Sequence, residues 1–173
     1  MSKTKQKKHG FTIIEVVLVL AIAGLIFLMV FIALPALQRG QRDTQRKNDL
    51  ARIMTKINDF STNNRGTIPS ATQWTVAYGT PAQSFVRRYL GTGTGATNTV
   101  AGSDFSDPQT NNYIFVAPLA GAAAPVTTTI GTIYYNTGAV CDVDGATIAG
   151  TARQYTLRMR LEGQTSLYCV DNR

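Results

Sequence analysis

FTIIEVVLVLAIAGLIFLMVFIALPAL, residues 11–37, holds one charged side chain, Glu15. The apolar run after it, from Val16 to Leu37, is about as long as a helix needs to cross a hydrocarbon core of roughly 30 Å, and it predicts a membrane span. Lys3, Lys5, Lys7 and Lys8 precede it. By the positive-inside rule they place the N-terminus in the cytoplasm and the bulk of a single-pass chain on the other side. A secretory signal peptide has a shorter apolar core and a small-residue cut beyond it. The apolar segment here is therefore expected to stay in the mature protein.

The helix need not stop at the membrane surface. Leu50, Ile53, Met54, Ile57 and Phe60 recur at helical spacing, and Arg46, Lys47, Asp49, Arg52, Lys56 and Asp59 fill most of the positions between them. One helix is predicted to run to about Asn63, transmembrane over 11–37 and amphipathic over 38–63. At 1.5 Å per residue it would be roughly 75–80 Å long, so its second half needs an apolar partner, and a sheet is expected. Pro35 and Gly40 would kink or loosen it; Asn64, Arg65, Gly66 and Pro69 would end it.

Residues 64–173 then form an extracytoplasmic globular domain. TPAQSFVRRYL, ending at Leu90, opens with a Thr cap, a proline at the first helical position and a glutamine three residues after the cap, which predicts a short surface helix. Residues 91–110, rich in Gly, Thr, Ser, Asn and Asp, read as an exposed loop that buries little. Strand signals follow at Tyr113–Val116 and Thr132–Tyr135. The strongest is later, where Tyr155, Leu157, Met159 and Leu161 alternate with Thr156, Arg158, Arg160 and Glu162, predicting one face in the core and the other in water. Gly163 and Gln164 turn the chain into a last strand, Ser166–Val170. The expected fold class is α+β: a long N-terminal helix packed on an antiparallel sheet of about four strands.

Composition narrows the chemistry. The 173 residues have room for one ordinary domain and one appended element. The formal charge is +7, but four of the 17 basic residues are the lysines ahead of the apolar run, so a chain beginning at Phe11 would carry 13 against 10 acidic residues. That surplus is too small to argue for nucleic acid. His9, the only histidine, lies in the same stretch, so such a chain has no imidazole for a triad, a general base or a metal shell. Phosphate loops, zinc spacings and nucleophile motifs are absent from the sequence; no enzyme activity and no cofactor are expected. Cys141 and Cys169 are spaced to close a loop rather than to clamp a metal, and spacing alone leaves them as one disulfide or two buried thiols.

KKHGFTIIEVVLVLAIAGLI, Lys7–Ile26, resembles the prepilin signature of type IV pilins and pseudopilins: basic residues, a glycine, a phenylalanine at the new N-terminus, a glutamate at the fifth position of the processed chain and then an apolar helix. The rest of the chain is similar to pilins only in layout. In that family a membrane peptidase cuts after the glycine and methylates the new amine. The resemblance thus implies a discarded leader of residues 1–10, cleavage between Gly10 and Phe11, and N-methylation of Phe11. A peptidase at the membrane surface must reach extended backbone, and glycine presents no side chain to obstruct it; an ordinary glycine before an uncleaved signal anchor is the alternative.

An acidic side chain within an apolar span costs about 2.5–3.5 kcal/mol on insertion scales and needs a partner. Cleavage would create one in the amine of Phe11. In pilins the equivalent glutamate neutralises the terminal amine of a neighbouring subunit as the filament core packs, and the resemblance assigns that assembly role to Glu15. Otherwise Glu15 is a carboxylate that favours the helix dipole and snorkels to the headgroups. Gly24 and Pro35 bracket a stretch resembling the part of pilin helices that loses regular structure in the filament, although the usual proline comes about one turn earlier; a simple proline kink is the alternative. Cys141 and Cys169 resemble the pair that staples the C-terminal region of many pilins, a loop whose closure stabilises by about 3–4 kcal/mol in the chain-entropy model.

The resemblance implies a structural subunit, stored in the cytoplasmic membrane and polymerised through its apolar helix into an extracellular pilus for adhesion, motility or DNA uptake. Its partners would be identical subunits in a helical filament, the prepilin peptidase, the assembly machinery in the membrane, and lipid before assembly. A pseudopilin of a type II secretion system or a minor pilin shares the whole signature. The presence of Glu15 argues against initiating subunits that lack it. A bitopic enzyme or receptor with an uncleaved anchor is the rival from another class.

Three weaker signals remain. Asp142 and Asp144 in CDVDG resemble part of a calcium loop, but the later bidentate glutamate is missing, so they read as an acidic turn and no metal site is expected. Arg158 and Arg160 share a strand face, with Arg87 and Arg88 on the short helix, and such a set can hold phosphates of a nucleic acid; a solvated strand face fits the alternation better. Tyr134, Tyr135 and Tyr155 are expected at core edges or subunit contacts.

Overall fold

Helix α1 spans Ile13–Asn63 in a computed structural model that describes residues 10–74, 85–90, 99–100, 105–110, 112–123 and 129–173. The chain divides into two compact units, the first ending at Gln38 and the second running Arg39–Arg173. The α1 residues up to Gln38 have all their large apolar side chains exposed. Those from Arg39 onward follow the predicted stripe: Leu50, Ile53, Ile57 and Phe60 are buried and Met54 packs at the margin. The helix ends where Arg65 and Gly66 both take positive φ, 56° and 80°. There the Gly66 N–H returns to the Ser61 carbonyl at 2.8 Å, satisfying one of the carbonyls that a helix C-terminus leaves unpaired.

The second unit is a mixed sheet on that stripe. Its strands are β1 (Thr99–Val100), β2 (Tyr113–Ala120), β3 (Thr132–Thr137), β6 (Tyr155–Arg160) and β7 (Leu167–Asp171), in the order β1-β2-β3-β6-β7. A separate hairpin joins β4 (Ala139–Cys141) to β5 (Thr147–Ala149). The α+β class holds. Among the described residues the pairings of the larger sheet are antiparallel except β2 with β3, which run parallel. A parallel pair cannot be joined by the tight turn that suffices for antiparallel neighbours. The β2–β3 register shifts between Val116 and Leu119, beside Pro118, which has no N–H to give to a ladder.

Alternation places Tyr113 and Phe115 of β2, Ile133 and Tyr135 of β3, and Tyr155, Leu157 and Met159 of β6 in one core with the helix stripe. Trp74, closing the short helix α2 (Ala71–Trp74), stacks between Phe85 at 5.1 Å and Tyr135 at 4.2 Å. Tyr155 donates its hydroxyl to Asn58 Oδ1 at 2.9 Å; all three singled-out tyrosines are buried, Tyr135 and Tyr155 within the core cluster. Of the predicted Thr80–Leu90 helix, residues 80–84 lie outside the described residues, and Val86–Leu90 form a π-helical turn.

Two expectations are corrected. Residues 91–110 were expected to bury little; most of them lie outside the described residues, but Thr99–Val100 pair with β2, and Phe105 and Asp107 are buried. The second face of β6 was expected in water; Thr156 and Arg158 are instead buried. Arg158 Nη2 donates to the Ala123 carbonyl at 2.7 Å and to Asn136 Oδ1 at 2.8 Å, because the chain leaving β2 folds back over this face.

Cys141 on β4 and Cys169 on β7 form a disulfide. The turn between β4 and β5 packs so closely on β7 that a side chain at Gly145, which has φ +73°, would lie 1.6 Å from the Leu167 carbonyl oxygen. Asp171 accepts from the Cys141 N–H at 2.7 Å and from Arg173 Nε at 2.9 Å, and Arg173 also donates to the Cys141 carbonyl. Replacing both cysteines by serine should lower the unfolding free energy of the full chain in detergent by about 3–4 kcal/mol. Fluorescence of Trp74, the only tryptophan, would report the fall in denaturant midpoint; an unchanged midpoint would mean that the cross-link contributes nothing.

Candidate functional site

Gly10, Phe11 and Thr12 precede α1 without regular structure. Phe11 is 85% exposed. A side chain built on Gly10 would meet nothing within 4 Å, so packing against the described residues does not demand glycine there. The helix opens as the N–H groups of Glu15 and Val16 donate to the Thr12 carbonyl at 3.2 and 3.3 Å. Glu15 thus sits in the first turn, where a carboxylate favours the helix dipole.

Phe11, Glu15, Val16, Val19 and Leu20 line one groove of about 340 Å³. Residues three and four apart share a helix face, so Glu15 and Val19, and Val16 and Leu20, stack along it. The Glu15 carboxylate is the one charge in this lining. From Ile13 to Leu37 every large apolar side chain is exposed, and the helix is long and apolar enough to cross a membrane. Such a surface requires lipid or another protein chain to cover it. Gly24 and Pro35 both lie within α1, which continues through them, and an added side chain at Gly24 would meet nothing within 4 Å.

The chain carries the prokaryotic N-terminal methylation motif. The model of that motif matches residues 5–31, the class III signal peptide of type IV pilins and pseudopilins. No curated protein and no solved structure matches the chain. The motif and the apolar helix fit a pilin-type protein anchored in the membrane before assembly, processed by a prepilin peptidase. Phe11 and Glu15, singled out from the sequence, fall together in the groove at the motif's centre; Cys141 and Cys169 fall together in the disulfide.

Downstream of the motif, the sequence reading missed a charged cluster that fastens α1 to the head. Arg46 is fully buried. Its Nε and Nη2 grip Asp107 at 2.6 and 3.2 Å, and its Nη1 reaches Glu162 at 2.7 Å and Asp43 at 3.1 Å. Arg42 holds Glu162 with two bonds of 2.7 and 2.6 Å. Asp43 accepts from the N–H groups of Glu162 and Gly163, each at 2.9 Å. Asp107 in turn accepts from the N–H groups of Gln109 and Thr110 at 2.9 and 2.8 Å. A helix turn, the β6–β7 turn and the loop before β2 thereby meet at one guanidinium. A signal was present: Arg46 lies four residues before Leu50 and seven before Ile53, on the stripe that is otherwise apolar. The partners Asp107 and Glu162 are more than sixty and a hundred residues away, and nothing local marks them.

The cluster shifts its acids. Arg42 and Arg46 hold the Glu162 carboxyl down to about 2, against the burial that would raise it. Burial would also raise Asp107, but the Arg46 guanidinium and the N–H groups of Thr110 and Gln109 keep it below the usual carboxylate range. Both folded values lie below the unfolded ones, so their stabilisation is complete above about pH 4.5 and is lost as pH falls toward about 2. Unfolding midpoints measured across that window should fall steeply in the unsubstituted chain and less in Glu162→Gln. Arg46→Met should cost about 3–5 kcal/mol by stranding a buried carboxylate, and the double change Arg46→Met with Asp107→Leu should recover part of that loss.

Proposed function

We propose that the chain is the structural subunit of a type IV pilus, cut between Gly10 and Phe11, methylated at the Phe11 amine, held in the cytoplasmic membrane with its N-terminus in the cytoplasm, and polymerised through α1 into an extracellular filament. The observation that carries this reading is the position of Glu15, the one charge in a helix surface that is otherwise apolar and exposed. A lone carboxylate within a bilayer costs about 2.5–3.5 kcal/mol. A second copy supplies what offsets it: the amine of its own Phe11, carried at the start of an identical apolar helix. In a filament the helices exchange lipid contacts for contacts with each other, so one surface serves both storage and assembly.

Gly10 supports the same reading. No contact with the described residues calls for glycine there, whereas a peptidase threading exposed backbone does. Gly24 and Pro35 mark where α1 would loosen as subunits pack, since proline removes an intrahelical hydrogen bond and glycine lowers helix propensity.

Mass spectrometry of the N-terminal peptide from sheared surface material and from membranes of the same cells tests the proposal. Abundant sheared filaments beginning at methylated Phe11 are expected. The same terminus confined to membranes would point to a pseudopilin or minor subunit, and an intact leader would return the chain to the signal-anchor class. Glu15→Val should leave processing intact and abolish filaments; normal filaments in that variant would remove the assembly role. Gly10→Val should leave the leader attached.

A further inference from the structure

The larger sheet has two edges, and they are finished differently. At one end β1 is two residues long, Thr99–Val100, too short to template another strand. At the other end β7, Leu167–Asp171, reads LYCVD, pairs only with β6 among the described residues and carries neither proline nor lysine. A row of aromatic and β-branched residues with an open backbone edge accepts a further strand. What occupies that edge is the tip of the β4–β5 hairpin. A side chain built on Gly145 would lie 1.6 Å from the Leu167 carbonyl oxygen and 3.2 Å from its Cα, so this carbonyl points at the turn and away from β6. In an antiparallel pair the backbone groups face the partner at alternate residues, which turns the N–H and C=O of Leu167, Cys169 and Asp171 to the same outer side.

The hairpin covers this edge without pairing to it. Among the described residues no ladder joins β4 or β5 to β7. The attachments are the Cys141–Cys169 cross-link, the bond of 2.7 Å from the Cys141 N–H to Asp171 Oδ2, and the donation of Arg173 to the Cys141 carbonyl. The tip itself is largely in water, with Val143 74% exposed. We propose that the hairpin is an edge guard latched by the disulfide, and that without the latch the outer edge of β7 pairs antiparallel with β7 of a second copy of the chain. A second copy fits because β7 is complementary to itself. A two-fold pairing centred on Cys169 sets Tyr168 against Val170 of the other copy, an aromatic on a β-branched residue, and keeps the two Asp171 carboxylates apart, each opposite a Leu167. The guard is independent of the filament reading, since every part of it lies within the second unit.

The test is hydrogen exchange of the peptide carrying residues 167–171, in the full chain in detergent at low and high protein concentration. In the cross-linked chain its exchange is expected to be slow and independent of concentration. With Cys141→Ser and Cys169→Ser together it should speed up about tenfold in dilute protein and slow again as the protein is concentrated, while β3 and β6 keep their protection. Cys141→Ser with Cys169→Pro removes one outward N–H and should abolish the dependence on concentration. If the double-serine chain loses the protection of β3 and β6 as well, Gly145→Ala decides. That change keeps the cross-link but leaves no room for the turn beside Leu167, and it should produce the same concentration-dependent response. Exchange that stays unchanged in these variants, or rises without any dependence on concentration, overturns the proposal, as does pairing that survives Cys169→Pro.

Discussion

The buried stripe of α1, Leu50, Ile53, Ile57 and Phe60, is the surface on which the larger sheet closes. Without it the inner faces of β2, β3 and β6 would present Tyr113, Phe115, Ile133, Tyr135, Leu157 and Met159 to water, and a sheet with one apolar face does not persist uncovered. The two ends of the stripe are finished differently. Toward Phe60 it runs into aromatic packing with Phe85 and Tyr89. Toward Arg46 it gives way to charge, and the ion cluster continues the attachment of helix to head.

That substitution has a physical consequence. An apolar residue in place of Arg46 would make contacts without direction, whereas a planar guanidinium accepts partners only in fixed positions. One residue thereby sets the mutual placement of α1, the Asp107 loop and the β6–β7 turn. The acids it recruits also organise backbone: Asp107 closes its own turn through the Gln109 and Thr110 N–H groups, and Asp43 holds Glu162 and Gly163. On the opposite face of the sheet, Arg158 donates to the Ala123 carbonyl and to Asn136 Oδ1, so among the described residues a second buried arginine ties the chain leaving β2 to β3 and β6.

The residues up to Gln38 face the reverse problem. They hold no polar partner for Glu15 among the described residues and no cover for their apolar side chains, so their environment has to be supplied by lipid or by further chains. The methylation motif over residues 5–31 names the class of protein in which a membrane-competent helix of this kind is found. The head, with its own core, cross-link and ion cluster, needs no such supply.

What the sequence by itself determined is whatever depends on local pattern. The apolar run and its single Glu15 define the span, the spacing of Leu50 to Phe60 defines the helix and its buried face, and Asn64 to Gly66 mark its end; β6 follows from alternation, and β3 and β7 from strand-forming residues next to turn signals. What only the tertiary structure decided depends on contacts between distant segments. The parallel course of β2 beside β3, the pairing of Cys141 with Cys169, the choice of Asp107 and Glu162 as partners of Arg46, and the burial of Thr156 and Arg158 all belong to this group. A strand's alternation shows that it has two faces but not what lies over the second one, and a charge on an apolar stripe shows that a partner is needed but not where along the chain it will come from, because both are settled only when the chain folds back on itself.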